Sequence, residues 1–339
     1  MTEKKLQLKV DQVSICYHTK RGELRAVSQA SFTIEQGQSV ALIGESGCGK
    51  TTLATAIVDA LPMAASVTSG RILYYQDQKE IDLLKLKRKD LRPLLWSEIS
   101  MVFQASQSSF NPVRKIKTQF LDTVWAHDRS RSKGEILQRA SELLRVVMLD
   151  PDKVLNAYPH ELSGGMKQRT LIALSLLLEP KLIILDEPTT ALDLLTQEKI
   201  LRLLKELKKE HGFSLLFITH DLGIVSELAD KVVTMYGGKA VESAPVATFF
   251  RSAEHPYSRG LVDAIPRLTM DDREIVSIPG TPPDMIEQEA GCAFAPRCSR
   301  CLPICKESIP ESKPVPGGEN WYCACWNPMS RGDACGNHR

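Results

Sequence analysis

Residues Gly44-Glu-Ser-Gly-Cys-Gly49-Lys50-Thr51-Thr52 follow the short apolar run Ser39–Ile43 (SVALI) and lead into a helical stretch. The spacing is G-x-x-x-x-G-K-[ST], and a strand before and a helix after are the setting that a phosphate-binding loop needs. The chemistry dictates the residue types. Glycines let backbone N–H groups turn inward and approach an anion closely. A helix beginning near Lys50 adds its positive N-terminal dipole. Lys50 brings a full charge to the β/γ-phosphates and Thr51 a hydroxyl to Mg²⁺. The plain alternative, a chance glycine turn, does not explain why the flanking strand and helix also match. Cys48, inside the loop, reads as a small packing residue.

Working outward, Leu182-Ile-Ile-Leu-Asp186-Glu187 is an apolar run that ends in two acids. Adjacent carboxylates at a buried edge repel each other unless they have a task. With a phosphate loop upstream, Asp186 reads as part of the Mg²⁺ shell and Glu187 as the general base for the attacking water. His220 closes a third apolar run, Leu215–Thr219 (LLFIT), in the same way. A lone histidine is usually structural, but parallel α/β sheets carry their sites at the C-terminal ends of strands, from which His220 would reach a γ-phosphate. Leu162-Ser163-Gly164-Gly165-Met166-Lys167-Gln168-Arg169 opens a helix expected over Thr170–Leu178. A serine and two glycines at a helix start form another anion site.

Three short apolar runs ended by polar residues suit strands of a mostly parallel sheet buried on both faces. Between the last two, Glu198–Glu210 sets Ile200, Leu201, Leu203, Leu204 and Leu207 against a charged face, with Gly212 beyond. That is an amphipathic helix with a C-terminal glycine. The fold class is therefore α/β, a P-loop NTPase.

The 339 residues allow two ordinary domains or one large domain with an appendage. With 43 % hydrophobic and 25 % charged residues the chain is that of a globular protein, which excludes extensive disorder. A net charge of +2 gives no general reason to expect nucleic acid. The basic run Lys85–Lys89 lies among Asp82, Asp90 and Glu98 and reads as a solvated surface. No apolar stretch reaches the roughly 18–20 residues that span a bilayer. The N-terminus lacks the apolar core of a secretory signal, so the expected compartment is the cytosol. Composition changes near residue 266: nine of nineteen prolines fall between Pro266 and Pro316, and seven of nine cysteines between Cys292 and Cys335. The expected division is residues 1–265 and a loop-dominated extension, 266–339. Cytosolic disulfides are disfavoured, so the cysteines read as metal-binding or catalytic.

Taken together these residues resemble the ATP-binding cassette (ABC) ATPases. The resemblance runs through Walker A (Gly44–Thr52), a Q-loop (Val102-Phe103-Gln104), the LSGG signature (Leu162–Gly165), Walker B (Leu182–Glu187), a D-loop (Ala191-Leu192-Asp193) and a switch histidine (His220). It implies ATP and Mg²⁺ as ligands and a helical subdomain at about 105–180. It implies nucleotide contacts from Gly44, Ser46, Gly47, Gly49, Lys50, Thr51, Thr52, Gln104 and Asp186, with Tyr17 where the family's adenine-stacking aromatic sits. Thr51, Gln104 and Asp186 would face Mg²⁺; Glu187, His220 and Gln104 would serve hydrolysis. In that family two cassettes dimerise head to tail, so Ser163 and Gly165 would serve the partner's nucleotide.

Further stretches resemble the oligopeptide/dipeptide/nickel importer branch. They are Phe103–Pro112 (with Ala105-Ser106 where the branch has an acidic-Pro pair), Tyr158-Pro-His-Glu-Leu-Ser, His255-Pro-Tyr-Ser-Arg-Gly-Leu, Ile278-Pro-Gly-Thr-Pro-Pro and Gly291-Cys-Ala-Phe-Ala-Pro-Arg-Cys298. The branch implies an ATPase that powers peptide import at the cytoplasmic face of the cell membrane; nickel chelates or oligosaccharides are the alternative cargo. It implies a second, homologous ATPase (a second copy of this chain is the alternative), two integral membrane permeases and an extracytoplasmic solute-binding protein as partners, and no nucleic acid. Apolar contacts to the permeases are expected around Gln104–Gln119. Non-transport cassette ATPases of DNA repair and translation are the competing class; they usually carry two cassettes or long insertions. The branch also implies a [4Fe–4S] cluster on Cys292, Cys298, Cys305 and Cys325, with Cys323 competing for the fourth position. Zinc is the alternative, because Cys298-x₂-Cys301-x₃-Cys305 offers zinc-like spacing.

Overall fold

The computed structural model describes residues 5–77, 79–104, 109–188, 193–265, 278–286 and 290–330. The chain begins with β1 (Leu6–Thr19), β2 (Gly22–Glu35), β3 (Ser39–Ile43), α1 (Lys50–Ile57), β4 (Ala65–Gln76) and β5 (Lys79–Asp82). Then come α2 (Arg88–Leu91), β6 (Ile99–Val102), α3 (Ile116–Trp125), α4 (Lys133–Val146), α5 (Pro151–Asn156), α6 (Gly164–Ser175), β7 (Leu182–Asp186) and α7 (Leu194–His211). The remainder holds β8 (Ser214–Ile218), α8 (Leu222–Leu228), β9 (Lys231–Tyr236), β10 (Lys239–Pro245), α9 (Val246–Ser252), α10 (Pro256–Asp263), α11 (Pro303–Glu307), β11 (Lys313–Pro314) and β12 (Tyr322–Cys323). Two compact units emerge: one from Met1–Gln7, Glu35–Gln38 and Lys85–Ile218, the other from Leu8–Ile34, Ser39–Leu84 and Thr219–Arg339.

In the first unit β6, β7 and β8 run parallel, Ile99 beside Leu182 and Leu182 beside Ser214. Every residue of these strands is buried. Their near-continuous Ile, Leu and Val content is what burial on both faces requires. α4 packs on α3, α5 and α6, through Ile136, Ala140, Leu143 and Leu144 of its apolar stripe. It starts in a capping box: Ser132 Oγ accepts the Glu135 N–H at 3.2 Å, and Glu135 accepts the Ser132 N–H at 2.9 Å. α7 spans the amphipathic stretch read from the sequence and starts four residues earlier. Asp193 caps it, accepting the Thr196 N–H at 2.9 Å, and Gly212 ends it at φ 67. α6 starts at Gly164 rather than Thr170 because Ser163 caps it, accepting the Met166 N–H. The two glycines are helical residues rather than a loop before the helix.

In the second unit β2, β1, β4 and β5 form an antiparallel sheet in that order. β3 pairs parallel with β9, Ile43 opposite Thr234, and all five of its residues are buried. β10 returns antiparallel to β9, β12 pairs with β10, and β11 with β12. The Cys- and Pro-rich extension thus adds strands to the hairpin beside β3. Phe294 of the extension packs with Tyr236, Val241 and Tyr257, all at 7 % exposure or less. Tyr236 and Phe294 meet edge to face at 5.1 Å, and Tyr236 and Tyr257 at 4.5 Å, each pair adding about 1 kcal/mol beyond its burial. The buried Glu242 on β10 accepts the backbone N–H groups of Glu254 (2.8 Å) and His255 (2.9 Å) and the indole N–H of Trp321 (2.9 Å).

Candidate functional site

The phosphate loop belongs to the second unit. It leaves the C-terminal end of β3 and closes onto α1, whose N-cap is Gly49. Gly44 and Gly49 lie at φ 143 and 98. A Cβ on Gly44 would stand 2.1 Å from the Met235 carbonyl oxygen, and one on Gly49 2.2 Å from that of Ala26. Both positions therefore require glycine for space as well as for backbone freedom. Buried Lys50 folds back over the loop: its Nζ donates to the carbonyls of Gly44 (2.7 Å) and Glu45 (2.8 Å) and lies 3.5 Å from Cys48 Sγ. Those carbonyls hold the buried ammonium within the loop. Burial pushes the Cys48 thiol up, so it stays neutral. Ser46 and Thr51 are exposed on the loop rim. Tyr17 is half-buried on β1, its hydroxyl 3.1 Å from Thr52 Oγ1. His220 lines a cavity of about 380 Å³ together with Gly44, Glu45 and Leu261.

The acidic strand belongs to the first unit. β7 delivers Asp186 at 1 % exposure. Glu187 follows at φ 47, a conformation uncommon for a residue with a Cβ. Its N–H donates to the Ile218 carbonyl at 3.0 Å. Gln104 Nε2 donates to Glu187 Oε2 at 2.9 Å. The Q-loop glutamine and the base candidate thus meet directly. Sequence reasoning missed Gln168. From α6 its side-chain amide donates to the carbonyls of Pro188 and, at 3.5 Å, Glu187, which ties the signature helix to the turn after the acids. No signal in the sequence marks it, because the burial of Gln168 is a product of the tertiary fold. Ser163 is exposed and Gly165 half-buried at the start of α6. Ala191 and Leu192 of the D-loop and Ala105–Ser108 lie outside the described residues; Asp193 is the α7 cap.

In the extension Cys292, Cys298, Cys305 and Cys325 line one small cavity, which His255, Phe294 and Trp326 also wall. The Cys292 N–H donates to the Cys305 carbonyl at 2.7 Å. Burial pushes the Cys298 thiol up to about 11 and the Cys325 thiol up to about 12. Cys323 sits on β12 opposite Glu242, and Cys301 is half-buried between Cys298 and Cys305. Cys335 lies outside the described residues. Among the described residues, no group of three or more His, Cys, Asp or Glu side chains is arranged to hold a metal ion. Also among them, no helix is long and apolar enough to cross a membrane.

Comparison with known proteins yields two family matches. Residues 27–190 match the ABC transporter model and residues 241–305 the oligopeptide/dipeptide transporter C-terminal region. The dipeptide transport ATP-binding protein DppD of Caldanaerobacter subterraneus is 44 % identical over 304 residues, covering 90 % of this chain and 92 % of the relative. The oligopeptide transport ATP-binding protein OppD of Salmonella typhimurium is 38 % identical, covering 95 % and 94 %. Among solved structures, the ATP-binding cassette MJ0796, a post-hydrolysis dimer bound to ADP and Pi, superposes with a TM-score of 0.63 at 28 % identity, covering 70 % of this chain and 98 % of that one. CbiO1 of Clostridium perfringens, part of the ABC transporter complex cbiONQ, gives 0.60 at 30 % identity, covering 73 % and 91 %. With a full-length relative this similar and a phosphate loop and acidic strand built as the motifs require, the chain belongs to the ABC transporter ATPases, in their dipeptide and oligopeptide branch.

Proposed function

We propose that this ATPase powers the import of di- and oligopeptides across the cytoplasmic membrane, from the membrane's cytoplasmic face. One observation carries the reading: a complete set of nucleotide motifs is joined in one chain to a tail that matches the peptide-transporter C-terminal region over residues 241–305. Lys50 and the loop amides bind the phosphates. Thr51 and Asp186, hard oxygen donors, would hold Mg²⁺, which would neutralise charge on the phosphates during transfer. Glu187 takes a proton from the attacking water, oriented by the Gln104 amide that already touches its carboxylate. His220 faces the γ-phosphate and Tyr17 the adenine. Ser163 and Gly165 complete the nucleotide site of a partner cassette, which their position at the N-terminus of α6 supports.

The working assembly pairs this chain with a second, homologous ATPase, two integral membrane permeases and an extracytoplasmic binding protein. Residues 1–265 form the ATPase, with a helical subdomain at about 105–180 that docks on the permeases, and 266–339 form the extension. Phe103 and Val113, apolar and exposed at 39 % and 79 %, support docking in that region. Uptake of labelled dipeptide by vesicles carrying the assembled complex tests the reading. Uptake that needs ATP and is outcompeted by peptides is expected; ATP turnover stimulated by a nickel chelate or an oligosaccharide but not by peptide overturns the cargo.

In the extension, Cys292, Cys298, Cys305 and Cys325 would hold a [4Fe–4S] cluster. The donor chemistry suits it, since four thiols line one cavity. Among the described residues they do not form a metal-holding group as they stand, and to ligate iron the thiols would have to give up their protons. The cluster would cross-link a tail that has little apolar core of its own.

A further inference from the structure

The phosphate loop holds one ionisable acid to which phosphate binding gives no task. Glu45 puts a carboxylate at the first turn of a loop that must receive a polyanion, and like charges at such range in a partly buried site repel strongly. Glu45 is nevertheless held from three directions. Its N–H donates to the Tyr257 hydroxyl at 2.8 Å, and its carbonyl accepts from Lys50 Nζ at 2.8 Å. Its two carboxylate oxygens each accept from one terminal nitrogen of Arg297, at 2.8 and 2.9 Å. That is a bidentate, charge-assisted pair, the strongest form such a contact takes. Its guanidinium end comes from the extension, more than 250 residues along the chain.

Arg297 is itself immobilised. Its side chain is 6 % exposed. Nε donates to the Pro279 carbonyl at 2.6 Å and a terminal nitrogen to the Tyr236 hydroxyl at 3.1 Å. The guanidinium lies 5.7 Å from the Tyr236 ring centre and 6.0 Å from that of Phe294. Gly280, at φ 76, leaves its stem room: a Cβ there would stand 3.3 Å from Arg297 Cγ. A buried guanidinium so fully engaged is built into the fold rather than a surface ion pair.

We propose that Arg297 is a positioning residue for nucleotide binding: held by the extension, it masks the Glu45 carboxylate so that the phosphate loop presents no free negative charge to the incoming phosphates. The inference rests on the reading of Gly44–Thr52 as the ATP site. It gives the extension a role in the ATPase itself, since without the segment from Ile278 to Cys298 the loop carries an exposed anion at its entrance.

Nucleotide affinity in the full-length chain tests it, measured by titration calorimetry with Mg-ATP. Arg297→Ala weakens binding by about tenfold or more. Adding Glu45→Gln to that variant brings affinity back to within about threefold of wild type, because the unmasked charge is gone. Simple damage to the tail would not be repaired by a change in the loop. Arg21→Ala, which breaks the exposed Arg21–Asp284 pair with the same tail, leaves affinity unchanged. Arg297→Ala binding like wild type, or Glu45→Gln failing to restore it, overturns the inference. If Arg297→Ala does not fold, Arg297→Gln, which keeps hydrogen-bond donors but loses the charge, is compared with and without Glu45→Gln on the same criteria. A wild-type chain that binds no ATP overturns instead the assignment of the loop.

Discussion

Glu187 shows how local contacts hold a single position. Its φ of 47, its N–H on the Ile218 carbonyl and its carboxylate on Gln104 hold the side chain at the end of β7 in a backbone conformation costing of order 1 kcal/mol. Glu187→Gln keeps the shape and removes the proposed base. ATP hydrolysis is expected to fall by about 10²–10⁴-fold while ATP binding persists, trapping an ATP-bound dimer visible by size-exclusion chromatography. Hydrolysis at the wild-type rate would refute the base. Gly49→Ala acts by collision, its Cβ 2.2 Å from the Ala26 carbonyl; loss of ATP binding in a chain with unaltered circular dichroism is the expected result. His255, buried at 1 % exposure, accepts the Tyr257 N–H on Nδ1 and so caps α10. Burial lowers its pKa from 6.5 to about 3. The unfolded chain therefore takes up a proton that the folded chain refuses; this contribution to stability is complete above pH 6.5 and drains away as the pH falls towards 3. Melting temperature against pH should show a shallower acid limb in His255→Asn, which keeps a cap acceptor but has nothing to titrate.

At the scale of elements, side-chain caps set where helices begin. The Ser132–Glu135 capping box opens α4 and the Ser163 cap opens α6. Ser132→Ala should cost about 1 kcal/mol, read as faster amide exchange confined to α4; exchange unchanged there would show that packing on α3, α5 and α6 alone fixes the helix. β3, β7 and β8 were legible as short apolar runs because parallel strands buried on both faces show no alternation. The start of α6 was less so. Two glycines disfavour helix interiors by roughly 1 kcal/mol each relative to alanine, and local propensity alone moves the start downstream. The cap and the burial of Gln168, Thr170 and Leu171 outweigh that cost.

At the scale of the molecule, the extension is tied to the ATPase core by Phe294 among Tyr236, Val241 and Tyr257, by Glu242 and by Arg297. A chain purified without oxygen should be brown and carry about four irons, with the charge-transfer absorbance lost on Cys292→Ser. A colourless chain with stoichiometric zinc would refute the cluster. Unaltered colour in Cys323→Ser, set against loss in Cys325→Ser, would assign the fourth ligand.

Sequence alone pointed to the phosphate loop, the acidic strand and the signature serine, because each is a local pattern whose residue types follow from phosphate, Mg²⁺ and proton chemistry at fixed spacing; the branch of the family it showed through longer stretches that resemble that branch. Tertiary structure alone decided the contacts that join distant segments: Gln104 on Glu187, Gln168 on the turn after it, and Arg297 on Glu45. The physical reason is that an ion pair or a hydrogen bond leaves no periodicity in either partner. A glutamate in a glycine-rich loop and an arginine between two cysteines read as unrelated surface charges until the sheet formed by β3, β9, β10 and β12 brings them within 3 Å of each other.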